Sequence, residues 1–126
     1  MSLATWKKES YPTPASKCAE KDALHHVLRK YLGTRKAVLK RHRVVAINST
    51  LTDGVYQFHF NEKTCALCKF YRVPSHCRSA CPLVTHAGLD CGRAGSVYNH
   101  WVRTGDPEPM IRALRRAVKK QERKGT

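Results

Sequence analysis

Cys65-Ala66-Leu67-Cys68, followed by Cys77, Cys81-Pro82 and Cys91-Gly92, places five of the chain's six cysteines within the 27 residues from 65 to 91. A C-x2-C pair with further cysteines a short loop away is how a chain sets four thiolates around one Zn²⁺. The turn inside C-x2-C folds back, so both sulfurs face one point and backbone N–H groups stabilise them as thiolates. Cys65 and Cys68 fit that requirement. Cys77, Cys81 and Cys91 compete for the two remaining places. Cys77 and Cys81 have the looser C-x3-C spacing. Cys81 precedes Pro82, a helix-start position that favours thiolate. Cys91 precedes a glycine, as a ligand on a tight turn does. His76 and His86 are available as imidazole ligands, although a lone histidine is more often an ordinary surface or core side chain. The expectation is one structural Zn²⁺ held by Cys65, Cys68 and two of Cys77, Cys81 and Cys91. An iron–sulfur cluster also takes four cysteines, but nothing else in the chain points to electron transfer. Cys18 stands far from the cluster and reads as a buried small hydrophobe or spectator thiol.

Working outward from the cluster, Val44-Val45-Ala46-Ile47 is β-branched and predicts a strand. Residues 48–54, Asn-Ser-Thr-Leu-Thr-Asp-Gly, have turn chemistry. Val55-Tyr56-Gln57-Phe58-His59-Phe60 alternates, with Tyr56, Phe58 and Phe60 on one face. The result is a β-hairpin leading straight into the cysteines. Upstream, Leu24, Val27, Leu28, Tyr31 and Leu32 form an apolar stripe at helical spacing, in a helix predicted from about Ser16 and stopped by Gly33. Thr34 would cap a short helix from Arg35 to about Lys40. Residues 1–15, with Pro12 and Pro14, predict a flexible extended arm whose Trp6 and Tyr11 are free to dock. Downstream, a short helix is expected from Ser96 to near Gly105. Asp106-Pro107-Glu108 then reads as a helix start, with an Asx cap, a first-turn proline and an acid at the N-terminus. The last helix carries Met110, Ile111, Leu114, Ala117 and Val118 on one side. The fold class is therefore small α+β, a single zinc-stabilised domain over 16–126 that ends in a basic helix.

The spacing of these motifs resembles a family of small cysteine-rich proteins common in bacteriophage genomes. The resemblance rests on Thr64-Cys65-Ala66-Leu67-Cys68-Lys69-Phe70-Tyr71, Cys77 to Cys81-Pro82-Leu83, Gly88-Leu89-Asp90-Cys91 and Tyr98-Asn99-His100-Trp101. It covers residues 64–101, under a third of the chain. One departure is C-x3-C at Cys77–Cys81 where the family pattern has C-x2-C, which bears on Cys77 as a ligand. The resemblance implies a phage or prophage origin and a metal knot, and it assigns no activity.

Charge carries the argument for function. Lys and Arg total 24 against 9 Asp and Glu, a net +15 in 126 residues. Such a surface attracts polyanions, of which nucleic acid is the commonest inside a cell. Two runs dominate. Arg35, Lys36, Lys40, Arg41 and Arg43 enclose no acid. Arg112, Arg115, Arg116, Lys119, Lys120 and Arg123 lie on the last helix, where only Glu122 opposes the seven basic residues from Arg112 to Lys124. A solvated helix usually mixes signs for i,i+4 pairing, and this one does not. The aromatics Tyr56, Phe58, Phe60, Phe70 and Tyr71 have the chemistry to stack on bases, but alternating aromatics beside a metal site are more often core, as are Tyr98 and Trp101. No long apolar run spans a membrane. The first residues lack a signal-peptide core, which predicts a cytoplasmic protein, in the host cytoplasm if phage-encoded.

Non-catalytic binding of DNA or RNA through phosphate contacts is the leading expectation. Its rival is a protein-interaction module that binds and inhibits a host factor. An HNH-type nuclease is a weaker third. Such enzymes pair a general-base histidine with a metal-binding Asp or His, whereas His25-His26 lies on the first predicted helix, Asp90-Cys91 has no neighbouring histidine, and Asn99-His100 has no acid at the expected distance. Nine acids also build a Mg²⁺ site poorly, and Cys18 lacks a base to make it a nucleophile.

Overall fold

A computed structural model describes residues 2–60, 64 and 97–124. The chain is α+β, with helices packed on one face of a small antiparallel sheet. Helix α1 spans Leu3–Ser10, α2 Ala23–Leu32 and α3 Lys36–His42, with two 3₁₀ turns at Ala15–Lys17 and Glu20–Asp22 before α2. Strands β1 (Val45–Ile47), β2 (Thr50–Thr52) and β3 (Gln57–His59) follow, then α4 (Val97–Thr104) and α5 (Glu108–Lys124).

The N-terminal segment is a helix where its prolines pointed to a flexible arm. Ser2 and Thr5 cap one another reciprocally at its start, satisfying N–H groups that lack intrahelical partners. A long-range bond completes that cap: the Leu3 N–H donates to Asp53 Oδ2 at 2.9 Å. Trp6 is 0 % exposed, and its Nε1–H donates to the Gly33 carbonyl at 2.8 Å. Gly33 is required by this approach, because a Cβ there would lie 2.2 Å from Ser10 Oγ and 2.8 Å from Trp6 Nε1. Pro12 and Pro14 end the helix and do not prevent it.

The sheet has three strands in the order β1-β2-β3. Residues with turn-like composition supply the middle strand, because Asn48 accepts φ 55° and lets the chain reverse immediately after β1. Ala46, Leu51 and Phe58 share the inward row. Val45, Thr52 and Gln57 form one outward row, and Ile47, Thr50 and His59 the other. Of the predicted aromatic row, Phe58 and Phe60 are buried, whereas Tyr56 falls in the β2–β3 turn and is exposed.

The core is a chain of rings. Tyr11 meets Phe58 at 4.7 Å between centroids, Phe58 meets Phe60 at 5.4 Å, Phe60 meets Trp101 at 4.6 Å and Tyr31 meets both Phe60 and Trp101. Offset and edge-to-face rings of this kind add to the area they bury. Leu24, Val27 and Tyr31 of α2 are buried as their spacing predicts, and Ile111, Leu114 and Ala117 of α5 are buried too, with α5 packed on α2 and α4. The helix predicted from Ser16 begins at Ala23 behind its two 3₁₀ turns. Thr34 does not cap α3: its hydroxyl donates back to the Tyr31 carbonyl at 2.7 Å, and Arg35 takes the cap position. Cys18 is buried, and its thiol donates to the Ala19 carbonyl at 3.3 Å.

Candidate nucleic-acid interface

Helix α5 begins as the sequence predicts. Asp106 Oδ1 accepts the Glu108 N–H at 3.1 Å. That bond is the main reason the Asp106 carboxyl sits below the usual carboxylate range, with the contact to His100 second. From this start the helix divides into two faces. Met110, Ile111, Ala113, Leu114, Ala117 and Val118 are buried. Arg112, Arg115, Arg116, Lys119 and Lys120 are exposed, at the i, i+3, i+4, i+7, i+8 positions that make one continuous stripe. Among the described residues, the ion pairs engage Arg35, Arg41, His42 and His100 and none of these five. The side chain of Arg123, which extends the same spacing, lies outside the described residues.

The other basic run is divided between two uses. Arg35 grips Glu108 through two bonds, Nε to Oε2 at 2.9 Å and Nη2 to Oε1 at 3.0 Å. This fork ties the start of α3 to the start of α5. The hydrogen bond raises the Arg35 guanidinium above its ordinary value and lowers the Glu108 carboxyl. Arg41 pairs with Glu9. His42, between them, is buried, with Nε2 2.5 Å from Glu9 Oε2 and Nδ1 2.9 Å from Thr5 Oγ1. Glu9 is held below the usual carboxylate range first by the His42 hydrogen bond and then by Arg41. Arg35, Arg41 and His42 therefore pin helices together. Lys36, Lys40 and Arg43 remain exposed. A cleft of about 300 Å³ between Arg35, Lys36 and the 104–108 turn carries Asp106 and Glu108 as well as the two cations, so it is not selective for anions.

The metal-ligand candidates Cys65, Cys68, Cys77, Cys81 and Cys91, with His76, His86, Asp90, Phe70 and Tyr71, lie outside the described residues, as does the side chain of Tyr98. Among the described residues no group of three or more His, Cys, Asp or Glu side chains gathers. What the structure does describe are the two ends of that segment. Phe60 and Trp101, which bracket it, stack at 4.6 Å. Lys30, 1 % exposed, donates from Nζ to the carbonyl of Thr64 at 3.0 Å and lies 4.7 Å from the centre of the Phe60 ring and 5.3 Å from that of Tyr31. A buried ammonium is costly unless partnered, and a carbonyl and ring faces are partners it accepts. Sequence reasoning missed Lys30. The available signal is its place three residues after Val27, at the edge of the apolar stripe of α2.

Of the nuclease candidates, Asp90, Cys91 and the side chain of Asn99 lie outside the described residues, and the described histidines sit on separate helices. His25 and His26 are on α2, where the His26 ring is 2.6 Å from the Thr13 carbonyl. His100, on α4, is 3.3 Å from Asp106, a helix cap. No described helix is long and apolar enough to cross a membrane. Comparison with protein-family models, curated proteins and solved structures returned no match.

Proposed function

We propose that this chain is a non-catalytic protein that binds nucleic acid through its phosphates, with the α5 stripe as the principal contact and Lys36, Lys40 and Arg43 as secondary ones. The observation that carries the reading is the exposed row Arg112, Arg115, Arg116, Lys119 and Lys120, which takes part in none of the ion pairs among the described residues. A stripe spanning 112 to 120 covers about 12 Å of helix axis at ~1.5 Å per residue. Duplex DNA carries about one phosphate per 1.7 Å of its axis, so the two charge densities are comparable. The apolar half of α5 is committed to the core, which leaves the helix phosphate contacts and little base readout. Binding by this helix is accordingly independent of sequence.

A structural Zn²⁺ on Cys65, Cys68 and two of Cys77, Cys81 and Cys91 completes the proposal. In support, the described residues that flank the segment are held in place, Phe60 stacked on Trp101 and the Thr64 carbonyl bonded to Lys30, so the ion would cross-link a stretch whose two ends are fixed. It would stabilise the domain and take no part in chemistry. The resemblance to small phage proteins fits a role in an infected or lysogenic host.

The test is fluorescence anisotropy of labelled duplex DNA, single-stranded DNA and RNA with the zinc-loaded protein across a salt series. The expected result is micromolar or tighter binding at low salt with a logarithmic slope for duplex of about −4.5 from the five α5 contacts, ~0.9 per phosphate, and steeper as the secondary contacts engage. No binding of any polymer at low salt would sink the reading and turn the search to a host protein partner.

A further inference from the structure

Among the described residues, the four large apolar side chains left most exposed all belong to the sheet and its turns. They are Val45 at 58 % and Ile47 at 59 % on β1, and Val55 at 78 % and Tyr56 at 69 % in the β2–β3 turn. Val45 and Ile47 point outward in register with Thr52, Thr50, Gln57 and His59. Among the described residues, the strands of that face carry no acid and no permanent charge, and Asp53 in the adjoining β2–β3 turn is engaged by the backbone N–H groups of Leu3, Val55 and Tyr56. Its neighbour in the chain is the basic end of α3, where Lys40 and Arg43 are exposed and Arg43 turns the chain into β1 through a left-handed residue at φ 56°. Among the described residues Lys40 and Arg43 take part in no ion pair, and an exposed apolar patch beside such cations marks a contact site.

We infer that the outer sheet face takes the unstacked bases of a single-stranded nucleic acid whose phosphates lie on Lys40 and Arg43. This inference rests on the phosphate-binding reading above and adds a base-contacting surface to it. The occupant follows from chemistry. A duplex buries its base faces by stacking and presents phosphates and groove edges, so an apolar platform gains nothing from it. A single strand offers flat apolar rings at every nucleotide, each with a negative phosphate beside it. On the face itself the His59 ring can stack, Val45 and Ile47 supply aliphatic contact and Gln57 can meet base edges, while Tyr56, exposed in the adjoining β2–β3 turn, offers a second ring. A second copy of this chain is disfavoured, because each carries a net charge of +15 and like charges oppose the approach. A bilayer is disfavoured because inserting Val45 and Ile47 would also strip water from Thr50, Thr52, Gln57 and His59.

The experiment compares the zinc-loaded full chain with its Ile47→Ser/Tyr56→Ser variant on oligothymidine and on a duplex of matched length at one salt concentration. Both replaced side chains are exposed, so a thermal melt should coincide with that of the unaltered protein and confirm that folding is intact. The expected result is about a tenfold or greater loss of affinity for oligothymidine, with duplex affinity and the salt slope on both polymers unchanged. Equal losses on both polymers, or no loss on oligothymidine, would overturn the inference while leaving phosphate binding standing. Failure of the unaltered protein to bind either polymer would remove both. A third arm uses phosphatidylglycerol vesicles: if the variant loses vesicle binding but keeps oligothymidine, the face serves a membrane and the inference is wrong.

Discussion

The two basic runs, 35–43 and 112–120, look alike in sequence and are used differently in the fold. In the first, Arg35 is clamped to Glu108, and Arg41 and His42 converge on Glu9. These charges act within the protein: they join α3 to α5 and α1 to α3. In the second, five cations stand in a row with no ion pair among the described residues. Net charge therefore overstates the charge left for the proposed phosphate contacts, because part of it is already neutralised. An Arg or Lys is available to phosphate only when no carboxylate is at hand to take it.

The strongest way to break this comparison is to remove the second run. Arg115→Ala/Arg116→Ala/Lys119→Ala/Lys120→Ala should weaken duplex binding by roughly a hundredfold or more at low salt and flatten the salt slope by about 3.6, from four lost phosphate contacts. These side chains are exposed, so a thermal melt should be nearly unchanged. Next comes the structural run. His42→Ala removes the contacts to Glu9 and Thr5 and should destabilise the fold by about 1–2 kcal/mol, read by urea denaturation, with binding at saturating stability unaffected. Arg35→Ala should cost about 0.2–1 kcal/mol, since the pair with Glu108 is about two-fifths exposed. Lys40→Ala should leave stability alone and weaken duplex binding only a few-fold, as one secondary phosphate contact among several.

Acidity gives an independent test. Hydrogen bonds from the Tyr56, Leu3 and Val55 backbone N–H groups, in that order, hold Asp53 below the usual carboxylate range, and His42 then Arg41 do the same for Glu9. A carboxyl with a depressed folded-state pKa contributes stability above its unfolded value and loses it as pH falls through the folded one. Stability should therefore hold from neutral pH to about pH 5 and decline below it. Asp53→Asn should flatten that decline, measured by melting temperature against pH.

Local signals foretold some elements and not others. Helix α5 was fully legible because its cap, its first-turn proline and acid, and its apolar stripe all lie within it. The stripe of α2 was legible for the same reason. Helix α1 was not, because its anchors are Asp53, His42 and Gly33, remote in sequence, and the nearby prolines outweighed a short and weakly apolar segment. Strand β2 was hidden because Thr50-Leu51-Thr52 sits among turn-forming residues, and only pairing with strands on both sides makes it a strand. At the proposed interface, the sequence named the basic residues but could not separate Arg35 and Arg41 from Arg115 and Lys119, since that distinction depends on where Glu9 and Glu108 fall in space.

The central claim is that the α5 stripe, and not charge in general, carries polyanion binding. It is tested most directly by the salt dependence of duplex affinity for the unaltered protein against two variants of equal charge loss, one lacking Arg115 and Lys119, the other Arg35 and Arg41. The α5 variant should lose about 1.8 units of slope and most of its low-salt affinity, while the α3 variant, once shown to be folded, keeps both. Equal losses in the two variants would contradict the account, because binding would then follow net charge alone.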